Sequence, residues 1–137
     1  MKLWEKGKLK PMDLRLGNYV ACGLNGLPMP IVSMELDDNK DAHLSFDCDE
    51  ELWKQHIDNV RALPISRCDE LLEQFGFIYD EPTGKLIAIK ESETIYLKRD
   101  GDVYNVFTHG VDGVRGIVKY IHQLQNFVYD NLYIELR

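Results

Sequence analysis

The sequence has no long hydrophobic run and few cysteines, and both shortages narrow the class of protein. No stretch of about 18 apolar residues occurs, so no segment is expected to span a membrane. The first ten residues mix lysines with apolar residues and lack the apolar stretch of a secretory signal. Cys22, Cys48 and Cys68 form no C-x-x-C pair, and their odd number fits reduced thiols. We therefore expect a soluble, cytoplasmic protein.

Motifs that carry common chemistries are also missing. The sequence contains neither a G-x-x-x-x-G-K-[ST] phosphate loop nor a G-x-G-x-x-G dinucleotide loop. Its histidines, at positions 43, 56, 109 and 122, include no i, i+4 pair and no H-E-x-x-H pattern. Acidic neighbours disfavour a thiolate at Cys48, while Cys22 and Cys68 lie beside apolar residues. We therefore predict no cofactor, no metal and no catalytic residue, and lean away from an enzyme.

One segment matches the start of a calcium loop. Asp37, Asn39 and Asp41 have the right spacing, but Ala42 stands where the loop needs Gly and Cys48 where it needs a bidentate Glu. The segment is interpreted as a solvated turn, because Asp and Asn are common there.

What the chain does have is an acidic, moderately apolar composition. Its 137 residues carry a formal net charge of −7 and are 45% hydrophobic. The length allows two small halves, 1–65 and 66–137, or one compact unit that both form together. The charge opposes contact with nucleic acid or anionic membranes, so a protein is the expected partner.

The spacing of apolar and turn residues predicts an α+β fold. Short strands at 18–22, 31–36 and 43–47 favour a small SH3-like barrel or a curled antiparallel sheet for 1–65. The segment 50–59 is either a helix or a loop leading into a strand.

The second half has a clearer pattern. A helix is expected over 66–76, capped by Ser66 and ended by Gly76. An antiparallel meander follows, with strands at 77–79, 86–90, 94–98 and 103–107, a hairpin turn at Asp100-Gly101 and a short strand near Val114. An amphipathic helix, Ile117 to Leu132, then packs on the sheet and ends at Asn131, before an edge strand at 133–136.

The polar strip of this last helix supplies the candidate binding residues. At 100° per residue, one arc is apolar and consists of Ile117, Tyr120, Ile121, Leu124, Phe127, Val128 and Leu132. The opposite arc holds the candidates Lys119, His122, Gln123, Asn126 and Asp130. The competing interpretation is structural: the Gln and Asn side chains would tie the helix to a neighbouring loop or sheet edge.

Three stretches of the sequence resemble a known group of proteins. They are Asp-Leu-Arg-Leu-Gly-Asn-Tyr-Val at 13–20, Leu-Pro-Ile-Ser at 63–66 with Glu-Leu-Leu at 70–72 and Phe-Gly-Phe at 75–77, and Tyr-Ile-His-Gln-Leu-Gln-Asn at 120–126. Together the set resembles small proteins of Bacteroidetes that often lie in phage-like or other mobile genetic regions. Tyr129-Asp130-Asn131 departs from the Thr-Gly-Glu-Glu-like turn of that family. The resemblance implies an accessory role in a mobile element and supplies no catalytic residue.

Three functional hypotheses follow. The leading one is a non-enzymatic interaction or accessory protein that uses edge strands and the polar strip of the last helix. The second is a nucleic-acid-associated factor with a basic N-terminal arm, and its residues are Lys2, Trp4, Lys6, Lys8, Lys10, Arg15 and Tyr19. The third is a small hydrolase with His122 or His109 beside an Asp or Glu.

Overall fold

Short segments rich in alternating apolar residues build the N-terminal unit, Met1–Leu63. A computed structural model describes residues 9–22, 26–48 and 51–137 of the chain. In the described part of this unit the strands are β1 (Tyr19–Cys22), β2 (Pro28–Pro30), β3 (Ser33–Leu36), β4 (Ala42–Cys48), β5 (Glu51–His56) and β6 (Val60–Arg61). They form two three-stranded antiparallel sheets, in the orders β2-β1-β6 and β3-β4-β5.

These sheets decide between the expected alternatives. The described strands do not close into a barrel. The unit contains antiparallel sheets, which agrees with the second of the two expected folds. The segment 50–59 was expected to be a helix or a loop, and that was wrong for most of it. Six residues of β5 pair with β4, Trp53 directly opposite Phe46. Pairing with β4 therefore decides the structure of this segment, despite the helical spacing of Trp53 and Ile57. Only Ile57–Asn59 forms a short 3-10 turn.

The calcium-like segment is a polar turn, as predicted. The Asp37 Oδ1 atom accepts hydrogen bonds from the backbone N–H groups of Asn39, at 2.8 Å, and of Asp41, at 3.0 Å. This is an Asx-type turn, in which the carboxylate replaces a backbone acceptor. It joins β3 to β4 and aligns their register, Leu36 opposite Ala42.

The C-terminal unit, Pro64–Arg137, confirms the α+β class. Its elements are α1 (Asp69–Gln74), β7 (Ile78–Asp80), β8 (Lys85–Lys90), β9 (Glu93–Asp100), β10 (Val103–Thr108), β11 (Gly116–Val118) and α2 (Ile121–Leu132). The strands form one five-stranded antiparallel sheet in the order β11-β10-β9-β8-β7. None of the described helices is long and apolar enough to cross a membrane.

Helix α1 is shorter than expected at its start and ends as predicted. Ser66 was expected to cap it, but Ser66 lies in a 3-10 turn and Cys68 is the residue that precedes the helix. At the other end Gly76 has φ +97°, which glycine adopts without a steric penalty. The N–H groups of Gly76 and Phe77 donate to the Glu73 and Leu72 carbonyls, both at 2.9 Å. This Schellman arrangement ends the helix and directs the chain into β7.

Both ends of α2 differ from the expectation. Residues 116–118 pair with β10 as a strand, so the helix begins at Ile121 rather than at Ile117. Tyr133, with φ +58°, rather than Asn131, takes the left-handed position after the helix. The segment 133–136 is not a strand. Its buried side chains pack instead, and the Gln125 Nε2 atom donates to the Leu136 carbonyl at 2.9 Å.

Candidate functional site

Two candidates of the polar strip are engaged in local structure. The Gln123 Oε1 atom accepts hydrogen bonds from the backbone N–H groups of Lys119, at 2.9 Å, and Tyr120, at 3.1 Å. It therefore satisfies donors at the start of α2 that have no partner within the helix. The Lys119 ammonium lies 3.0 Å from Asp102, and this hydrogen bond and charge raise the pKa of Lys119. For Gln123 these contacts favour the structural interpretation.

The other three members of the strip do not share one exposed surface. His122, expected on the polar arc, is 5% exposed, and its ring stacks on Tyr120 with centroids 6.0 Å apart. That expectation was wrong because the buried stripe of α2 is wider than the apolar arc and includes the polar residues His122 and Gln125. Asn126 is half-buried and Asp130 is exposed. A binding role for the strip stays a prediction.

The basic N-terminal arm is only partly described. Lys2, Trp4, Lys6 and Lys8 lie outside the described residues. Lys10 and Arg15 are exposed, and Tyr19 is half-buried on β1. Nucleic-acid binding by this arm stays a prediction.

A pair of histidines in the N-terminal unit was missed by the sequence reasoning. His43 on β4 lies directly opposite His56 on β5, and their rings meet edge to face with centroids 5.1 Å apart. The His43 Nε2 atom is 3.0 Å from Asp37, and this hydrogen bond, with two backbone donors, lowers the pKa of Asp37. Only the strand register reveals this pair, since thirteen positions separate the two residues in the sequence. Within the described ranges, no three His, Cys, Asp or Glu side chains are arranged to hold a metal ion.

The two buried thiols are poor nucleophiles. Burial, with a smaller effect of Cys48, raises the pKa of Cys22 to about 11. Burial, reinforced by Asp69, also raises the pKa of Cys68. Because the thiolate is the reactive form, the raised pKa values disfavour reaction at both groups.

The C-terminal unit contains a cleft of about 680 Å³ between α1 and the sheet. Buried or half-buried apolar side chains from α1, β8 and β9 form its floor, together with Phe77. The lining residues are Asp69, Leu72, Glu73, Phe77, Ile78, Tyr79, Gly84, Leu86, Leu97, Arg99 and Tyr104. Neither His109 nor His122 is among them, so this cleft gives the hydrolase hypothesis no site.

The helix that lines the cleft is short. Six residues of α1 span about 9 Å, whereas five strands are about 19 Å across. Gly84, in the turn before β8, also lines the cleft. A Cβ added to Gly84 would have no heavy atom within 4 Å, so no side chain fills this space.

Polar groups converge on the cleft from both sides. Asp69 and Glu73 are one turn apart on α1, and Arg99 on β9 lies directly opposite Tyr104 on β10. Tyr104 is 6% exposed. Burial raises its pKa, Asp69 adds to this and Arg99 opposes it. No hydrogen bond joins the Tyr104 hydroxyl to another residue that the structure describes.

The opposite face of the sheet, here called the outward face, carries an unusual row of apolar residues. Direct cross-strand pairs connect Ile78, Ile87, Tyr96 and Phe107 across β7, β8, β9 and β10. Ile78 is 74% exposed, and Ile89 and Ile117, on the same face, are 72% and 67% exposed. The Lys85 ammonium lies 5.5 Å from the Tyr96 ring centroid and 5.0 Å from that of Phe107. The sequence signal was the nearly continuous apolar run of β8, which leaves no polar face.

Comparison of the chain with protein-family models, with curated proteins and with solved structures finds no match. The resemblance to Bacteroidetes proteins stays a prediction, and the features that bear on function are the two faces of this sheet.

Proposed function

We propose that the chain is a non-enzymatic interaction protein that contacts a partner protein through the outward face of the C-terminal sheet. The observation that carries this proposal is the cross-strand row Ile78–Ile87–Tyr96–Phe107, flanked by exposed Ile89 and Ile117. An antiparallel sheet with one solvated face normally alternates apolar and polar residues. Ile78 is exposed, and the other three members of the row are half-buried. A contiguous apolar patch at the surface is typical of an interaction site.

The lysine over the aromatic rings of this face favours a partner with acidic groups. Lys85 and Lys98 both point outward, as do Asp80 and Asp100, and Lys85 lies over the aromatic rings of the row. A partner surface that is apolar at its centre and carries carboxylates at its rim would pair with both features. A second copy of this chain is a poorer match, because it brings the same lysines and a net charge of −7.

The resemblance supports a narrower version of this proposal, in which the partner belongs to a phage-like or other mobile element. The genes on either side of the coding sequence test that version: phage or transposition genes are expected, and a conserved metabolic operon would oppose it.

The contact itself is tested with two matched double variants. Ile78→Glu/Ile89→Glu places two carboxylates on the outward face at highly exposed positions, so the fold should tolerate them. Leu36→Glu/Leu52→Glu makes the same change at positions 63% and 66% exposed in the N-terminal unit. Each tagged protein is used to capture proteins from a lysate of the source organism, followed by quantitative mass spectrometry.

We expect at least one protein to be retained by the wild type and the Leu36/Leu52 variant and lost by the Ile78/Ile89 variant. That protein, once purified, should bind the chain in calorimetry, more weakly as salt is raised. The proposal is wrong if every captured protein is retained equally by both variants. It is also wrong if light scattering finds a wild-type dimer that the Ile78/Ile89 variant dissociates, since the occupant is then a second copy.

A further inference from the structure

The cleft on the other face of the same sheet has the dimensions of a small-molecule site. Its volume of about 680 Å³ lies within the range of about 300–1,000 Å³ that is usual for pockets that hold such ligands. It is lined by α1 and β7 to β10 of one unit, so it needs no partner chain to be complete.

The floor of the cleft is apolar and would contact an apolar part of a ligand. Leu72, Phe77 and Leu97 are buried beneath it, and Leu86 is half-buried beside them. Tyr79 stands at the rim, 60% exposed, where its ring can cover a bound aromatic or aliphatic group.

The charges in the cleft favour a ligand with a cationic group. Two carboxylates, Asp69 and Glu73, and one guanidinium, Arg99, line the cleft, and all three residues are exposed. The Arg99 Nε atom already donates to the Gly101 carbonyl at 2.9 Å, which ties that side chain to the β9–β10 turn. An ammonium group would therefore be attracted, whereas a carboxylate or phosphate would be repelled by two negative groups.

Tyr104 supplies the second, independent indication of a ligand. Its hydroxyl lines the cleft, is carried by a side chain more than nine-tenths buried, and makes no hydrogen bond to another described residue. The hydroxyl oxygen itself is open to the cleft rather than buried, so a bound ammonium could donate to it in place of solvent.

We propose that the cleft binds a small organic amine with an aromatic or aliphatic body, its ammonium held by Asp69, Glu73 and the Tyr104 hydroxyl. Of the outward-face residues named above, Ile78 on the edge strand β7 also lines the cleft, and the others do not. Each proposal is tested by its own variants, so either can fail while the other stands.

The test uses the full chain and probes that differ only in charge. Tryptamine, phenethylamine and hexylamine are the cationic probes, and indole-3-acetate is an anion with the same ring system as tryptamine. Binding is followed by amide chemical shifts in NMR titrations. We expect the amines to shift amides around Leu72, Tyr79 and Arg99, and indole-3-acetate to shift none of them.

Two variants identify the groups that hold the ammonium. Glu73→Gln removes one charge without changing shape and should weaken amine binding about ten-fold or more. Its matched control is Glu70→Gln, on the same helix but outside the cleft lining, which should bind amines as the wild type does. Tyr104→Phe keeps the ring and should weaken binding while preserving the thermal midpoint.

Four results would overturn the proposal. They are no shift with any of the three amines, equal binding of indole-3-acetate, equal affinities of the Glu73→Gln and Glu70→Gln variants, or shifts confined to outward-face amides such as those of Ile87 and Tyr96.

Discussion

Gly116 on β11 lies directly beneath the ring of Phe127 on α2. A Cβ built on Gly116 would be 2.9 Å from Cδ2 of Phe127 and closer still to Cε2. The backbone of Gly116 is not among those with positive φ, so glycine is required here by space rather than by conformation. The close approach allows α2 to pack on the edge of the sheet.

Replacing Gly116 by Ala should therefore destabilise the C-terminal unit by overpacking. We expect the free energy of unfolding to fall by about 1–3 kcal/mol, measured by urea denaturation. The double variant Gly116→Ala/Phe127→Leu should lose less than the sum of the two single changes, because the smaller side chain leaves room for the new methyl group. A neutral Gly116→Ala variant would contradict this packing.

Gln123 offers a direct test of whether the last helix uses its polar residues for structure. Gln123→Ala removes the acceptor for two backbone N–H groups and should cost about 1 kcal/mol of stability. Gln123→Glu keeps an acceptor at the same place, next to the positive end of the helix dipole, and should be close to neutral. Equal losses for Ala and Glu, in thermal unfolding, would argue against a capping role.

The three cysteines should differ sharply in reactivity. Cys22 and Cys68 are buried with raised pKa values, whereas Cys48 is exposed at the end of β4. At pH 8, a thiol reagent such as DTNB should modify one cysteine per native chain rapidly and all three after unfolding in guanidinium. Mass spectrometry of the peptides should place the fast label on Cys48, and rapid labelling of Cys22 would contradict its burial.

The turn at Asp37 should respond to acid. Hydrogen bonds from His43 and from backbone N–H groups lower the pKa of Asp37 below its ordinary value of 3.8. A lowered folded-state pKa stabilises the fold above the unfolded-state pKa, and this contribution is lost as the pH falls through the folded-state pKa. An NMR titration of the carboxyl carbon should therefore place the Asp37 midpoint below 3.8, and the midpoint should rise toward that value in a His43→Ala variant.

The sequence was informative where local chemistry decides the structure. Gly76 ended α1 and the Asp37 turn formed as predicted, because each depends on residues within one turn of chain. It failed where distant pairing decides: β5 became a strand through its ladder with β4, and residues 116–118 joined β10 instead of α2. The cleft could not be foreseen for the same reason, since Glu73, Arg99 and Tyr104 meet only through the sheet register and the length of α1.

The order of the C-terminal strands has a consequence for how this unit folds. Every strand from β7 to β11 pairs with its neighbour in the chain, so each contact of the ladder closes only a short loop. Closing short loops costs little entropy, and proteins with low contact order reach their transition state quickly. The meander can therefore grow hairpin by hairpin from any of its turns. Until α1 and α2 pack on the inner face, apolar side chains on both faces of the sheet are accessible. Aggregation is therefore most favoured in the interval before the helices dock.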